Sequence, residues 1–95
     1  MDDVMSNMNF FNLLDFKEVG SSVSPYIRAS HRFPNGYGVS VVCWDYAKPN
    51  RRYEVAVLHE GKLCYDTWIT DDVLAHRTVG EVDQIMFDVS QLWKL

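Results

Sequence analysis

The chain has 95 residues and a mass of 11.0 kDa, the size of one small domain, which excludes a doubly wound nucleotide-binding fold with a separate substrate domain. Hydrophobic residues at 47% and charged residues at 23% give a globular composition and exclude a fibrous or wholly disordered chain. The formal net charge of −4 is split: residues 21–59 set Arg28, Arg32, Lys48, Arg51 and Arg52 against Asp45 and Glu54, while both flanks are acidic.

Met1 to Asn9 is polar and methionine-rich and reads as a loose end. Phe10, Phe11, Leu13, Leu14 and Phe16 have helical spacing, so a short N-terminal helix is expected, stopped at Gly20. Ser21 to Pro25 has the composition of a linker. The expected organisation is therefore residues 1–25 as tail and short helix, and residues 26–95 as a single α+β domain.

Tyr26 to Phe33 reads as a first strand and Pro34-Asn35-Gly36 as a tight turn. Tyr37 to Tyr46 alternates, with Val39, Val41 and Cys43 on one face and Ser40, Val42 and Trp44 on the other. Pro49 breaks this strand inside a polar loop, residues 47–52. Tyr53–Leu58 and Leu63–Ile69 read as a hairpin. A two-residue loop at Glu60-Gly61 would set Val55 opposite Asp66. A three-residue loop at His59-Glu60-Gly61 sorts the faces better, pairing Val57 with Leu63, Val55 with Tyr65 and Tyr53 with Thr67, and is the expectation. That register puts Cys43 and Cys64 on opposite faces.

Thr70 suits the N-cap of a short turn over Asp71 to Leu74. Thr78-Val79-Gly80-Glu81 has the form of a capping box. The helix after it places Val82, Ile85, Met86, Val89 and Trp93 on one stripe, with Asp83, Gln84, Asp88 and Gln91 off it. The expected architecture is α+β: an antiparallel sheet of three or four strands, with the C-terminal helix packed on one face.

The segments Phe33-Pro34-Asn35-Gly36-Tyr37-Gly38-Val39-Ser40-Val41-Val42, Glu54-Val55-Ala56-Val57-Leu58, Tyr65-Asp66-Thr67, Ile69-Thr70-Asp71-Asp72-Val73 and Glu81-Val82 resemble a family of small phage-encoded proteins. The resemblance spans residues 33–90, and Trp68 departs from the proline expected there. It implies a bacteriophage origin and an early accessory role in the host cytoplasm, and it implies no reaction. By analogy, phage proteins of this size bind and block host proteins, CRISPR effectors among them.

The histidines His31, His59 and His76 have no helical i, i+4 spacing, and no Cys-x-x-Cys occurs, so neither a metal site nor a cofactor is expected. A Cys–His pair could meet only in the fold; surface histidines and structural thiols are the favoured alternative. Two cysteines are too few for a disulfide scaffold, and a reducing cytoplasm would keep both as thiols. Asp66, Asp71 and Asp72 suit a hard cation, but helix capping accounts for them without one. No stretch approaches the roughly 18 apolar residues of a membrane span, so no membrane partner is expected.

Partner binding is the remaining reading. Lys48, Arg51 and Arg52, flanked by Trp44, Tyr46 and Tyr53, suit an acidic protein surface, or phosphates with bases stacked on the rings. Thirteen aromatic residues in 95 exceed what a small core hides. Trp44, Tyr46 and Trp68 are expected on the more polar sheet face, where Trp and Arg serve as interface anchors. Alternatively Phe10, Phe11, Leu14 and Phe16 cover that face. Both hold if a second subunit of a homodimer supplies the helix. The reading is a non-enzymatic, anti-CRISPR-like inhibitor that binds a host protein through Trp44, Tyr46, Lys48, Arg51, Arg52 and Trp68. The runner-up is a nucleic-acid-binding accessory protein using loop 44–53.

Overall fold

The computed structural model describes residues 9–93. Of the loose end expected over Met1 to Asn9, residues 1–8 lie outside the described residues. A single 3-10 turn at Phe11–Leu13 precedes strands β1 (Lys17–Gly20), β2 (Pro25–Arg32), β3 (Tyr37–Cys43), β4 (Tyr53–His59), β5 (Lys62–Leu63) and β6 (Leu74–Arg77), then helix α1 (Val79–Ser90). Every pairing is antiparallel in the order β1-β2-β3-β4-β5, with β6 joining β4 further along the same edge. The fold is α+β, with a six-stranded sheet in place of the three or four strands expected. No helix among the described residues is long and apolar enough to cross a membrane.

Strand alternation builds the core. Val39, Val41 and Cys43 of β3 and Val55 and Val57 of β4 are fully buried under α1, which presents Val82, Ile85, Met86 and Val89 to them. The expected capping box is present: Glu81 N donates to Thr78 Oγ1 at 3.2 Å, and Thr78 N donates to Glu81 Oε1 at 2.8 Å. Trp93, expected on the helix stripe, is 85% exposed, because α1 ends at Ser90. No glycine stops that helix. Asn35 does so from the β2–β3 turn: its amide donates to Val89 O and Leu92 O, both at 2.9 Å, and its Oδ1 accepts from Tyr37 N.

The N-terminal segment departs from the expected helix. After the 3-10 turn it becomes edge strand β1, which pairs with β2, so the division expected after residue 25 falls at the start of β2 inside a hairpin. The aromatic residues before β1 dock on the helix side of the sheet. Phe10 packs on Phe33 and Phe87, with ring centroids 6.1 and 5.8 Å apart, and Phe11 lies edge-on to Tyr53 at 5.4 Å. Phe11 N donates to Asp83 Oδ1 at 2.8 Å. Asp83, expected on the solvent side of α1, is thereby buried, at 7% exposure.

The hairpin register also differs. Leu58 pairs with Leu63 and His59 with Lys62, leaving Glu60-Gly61 as a two-residue loop with both φ positive, 51° and 82°. Continued, this register would set Asp66 against buried Val55. The chain avoids burying a carboxylate by leaving the sheet after Cys64, whose N–H reaches Val57 O at 2.9 Å. Leu74 of β6 takes the place opposite Val55. In place of the helical turn expected over Asp71–Leu74, Thr70 Oγ1 accepts from Asp72 N and donates to Asp72 O, and the chain passes directly into β6. Cys43 and Cys64 consequently lie on the same side of the sheet, as free thiols.

Candidate functional site

Because α1 and the N-terminal aromatic residues both cover one face, no described element covers the other. The even positions of β2, β3 and β4 line this bare face in rows fixed by register. Arg28, Val42 and Glu54 form one row, Ser30, Ser40 and Ala56 the next, and Arg32, Gly38 and Leu58 a third that continues to Leu63. Gly38 is required by a close approach: a Cβ there would stand 2.3 Å from His31 O. Arg28 Nε donates to Ser40 Oγ at 3.2 Å, and Arg32 pairs with Glu60.

Trp44 continues the alternation of β3 onto the bare face and remains 50% exposed. Its ring packs on Tyr26, with centroids 4.2 Å apart, and shallow clefts flank it on both sides. One is walled by Val23, Pro25 and Lys48, the other by Arg52, Glu54 and His76. His76 has φ of 57° at the irregular pairing of β4 with β6, a strained conformation for a non-glycine residue beside this cleft.

The loop after Trp44 carries Lys48, Arg51 and Arg52, all exposed. Lys48 N donates to Asp45 O at 3.0 Å, closing a turn, and its ammonium stands 3.9 Å from the Asp45 carboxylate. Arg52 donates to Arg51 O at 3.0 Å. Water screens such contacts, so these cations remain available to a partner. Tyr46 departs from the expected arrangement. It is half-buried against the core, on the helix side, and donates its hydroxyl to Glu18 of β1. That bond to the carboxylate holds the phenol pKa above its ordinary range. Trp68 is 73% exposed but sits on the segment between β5 and β6, outside the Trp44 loop. The fold thus gathers Trp44 with Lys48, Arg52 and one side of Tyr46, whose hydroxyl Glu18 engages, keeps Arg51 exposed on the same loop, and leaves Trp68 as a separate surface aromatic.

Tyr26, Glu54 and His76, absent from the sequence-derived set, complete the surroundings of Trp44. Tyr26 could have been found by extending the alternation of β2 backward from Arg28. The bulge that places His76 had no sequence signal.

Two histidines are engaged by rings: His31 packs on Phe33 at 4.8 Å and His59 stacks on Tyr37 at 4.3 Å. Cys43 is fully buried, and burial pushes its thiol pKa up. Among the described residues no group of three or more His, Cys, Asp and Glu side chains is placed to hold a metal ion. Compared with known proteins, the chain matches no family model, no curated protein and no solved structure.

Proposed function

We propose that this is a bacteriophage accessory protein that acts without catalysis, by stoichiometric binding to a protein in the host cytoplasm, and inhibits it by covering a functional surface. A defence effector, in the manner of an anti-CRISPR protein, is the target class in view. The observation that carries this reading is the exposure of Trp44 beside Lys48 and Arg52, with Arg51 exposed on the same loop, at the end of a sheet face with no described cover. Trp and Arg contribute disproportionately to interface energy, since each brings a large contact area together with directed hydrogen bonds or charge. Trp68 supplies a second aromatic anchor away from the loop.

The test is a tagged pull-down from nuclease-treated host lysate, with bound proteins identified by mass spectrometry. One stoichiometric host protein is expected, and alanine at Arg51, Arg52 and Trp68 together should reduce its recovery while the circular dichroism spectrum is unchanged. Undiminished recovery by that folded variant would refute the site. Recovery of nucleic acid and its associated proteins only without nuclease, with affinity falling steeply in salt, would favour the nucleic-acid reading through the same loop.

A further inference from the structure

The bare sheet face is self-complementary, and we infer that it is an interface with a second copy of this chain. The inference rests on strand register and charge. Arg28 on β2, Val42 on β3 and Glu54 on β4 lie in one row, with Val42 central and the two opposite charges one strand away on either side. Turning a second copy about a two-fold axis parallel to β3 stacks β2 of each copy over β4 of the other. Arg28 then meets Glu54 of the second copy, Glu54 meets its Arg28, and Val42 meets Val42. An isologous interface makes each such pair twice.

The competing two-fold axis runs across the strands and stacks β2 on β2. It would set Arg28 against Arg32 of the second copy, and like charges facing each other oppose association. Charge therefore selects the first arrangement. Arg32 is already paired with Glu60 of its own chain. Among the described residues, Arg28 has the Ser40 hydroxyl as its partner, and no carboxylate lies within ion-pair distance of it.

The shape agrees. Gly38, Ser40 and Ala56 have small or absent side chains, which lets two sheets approach to the roughly 10 Å of an aligned sandwich. The six strands hold 32 residues in all, which at about 3.3 Å per residue and about 4.8 Å between strands give a footprint of roughly 500 Å² per copy. Doubled, this falls just below the range of stable specific interfaces and in that of weak, transient ones, so a reversible dimer of micromolar affinity is expected. Since the axis runs along the strands, both 44–52 loops emerge at the same end, and the dimer presents the basic loop twice. The dimer rests on register and charge rather than on the binding reading above, but it uses the same face: Trp44 and Glu54 share a cleft there, so dimerisation and partner binding at Trp44 compete.

The test is sedimentation equilibrium of the full chain over about 1 to 500 μM, a span that brackets micromolar association. Wild type is expected to pass from monomer to dimer. Arg28→Glu and Glu54→Arg should each weaken the dimer about tenfold or more, because each reverses both symmetric contacts. The double variant Arg28→Glu/Glu54→Arg should recover wild-type association to within about threefold, as expected for a coupled pair. Circular dichroism checks that each variant is folded. A wild-type chain that stays monomeric throughout overturns the proposal. So does a dimer indifferent to the single reversals, which would place a different surface at the interface, or a double variant that fails to recover. Capture of a host protein is read separately, by the pull-down, so failure of the dimer and failure of the binding reading remain distinguishable.

Discussion

Replacing Asp83 by alanine tests whether the N-terminal segment is held by one buried carboxylate. Asp83 is 7% exposed and accepts from Phe11 N at 2.8 Å, across 72 positions in sequence. A hydrogen bond to a charged acceptor contributes about 1.5–3 kcal/mol. Relief of the buried charge offsets part of that loss, so a net cost of about 2 kcal/mol is expected. For a domain of this size each kcal/mol shifts the melting temperature by roughly 4–8 °C, so Asp83→Ala should melt about 8–16 °C lower. The assay is thermal and urea unfolding of a double-mutant cycle with Phe11→Ala. That second change removes the ring that packs on Tyr53 and Phe16, and so loosens the same segment. The two effects should be less than additive by about 0.5–1.5 kcal/mol. Additivity within about 0.3 kcal/mol would show that Asp83 and the Phe11 segment are not coupled, and would refute the latch.

Two further outcomes follow from local geometry. The hydrogen bond from Thr78 N, then one with the Thr78 side chain and then the positive charges of Arg77 and Arg52, outweigh desolvation and hold the Glu81 carboxyl below its ordinary value of 4.5. A depressed folded-state pKa stabilises the fold above the unfolded value and ceases to do so as pH falls through the folded value. Wild type should therefore lose part of its advantage over Glu81→Gln below about pH 4.5, as read by urea midpoints across pH 3–7, and a constant difference would contradict this. Gly38→Ala forces a Cβ to within 2.3 Å of His31 O, a backbone atom, and should lower stability by about 1–3 kcal/mol in urea unfolding; an unchanged midpoint would mean that β2 yields freely there.

The parts of the fold that were legible in the sequence are those set by local pattern. The alternation through Val39, Val41 and Cys43, the turn at Pro34-Asn35-Gly36 and the Thr78–Glu81 capping box each depend on residues within a few positions, and each is found where expected. Three features were not legible, for separate physical reasons. Phe10–Phe16 has apolar spacing that suits a helix, but those side chains dock individually on Phe33, Tyr53 and Phe87, and the four-residue edge strand after them carries Lys17 and Glu18, which mask it. The β4–β5 register was misread because sorting of the faces assumed that both arms continue, whereas the second arm leaves the sheet after two residues. Asp83 reads as a surface acid until a backbone N–H from the other end of the chain reaches it. At the candidate site, Trp44 and the basic loop were legible from composition and alternation. The packing of Tyr46 on the core and its bond to Glu18 were not, because once β3 ends at Cys43 the strand period no longer determines where a side chain points.

The Asn35 amide has a consequence for the order of folding events. It satisfies two carbonyls at the end of α1 from 54 and 57 positions away, in a turn that exists only once β2 and β3 have paired. Early in folding, the last turn of the helix therefore has only its local bonds, Gln91 N to Asp88 O and Leu92 N to Val89 O, and lacks this distant cap. Its completion must wait for closure of a long loop, which places a non-local, entropically costly contact at the end of the only regular helix described. The slow step is thus expected to join the middle of the chain to its C-terminal end, and the helix terminus and the β2–β3 turn should gain protection from hydrogen exchange together.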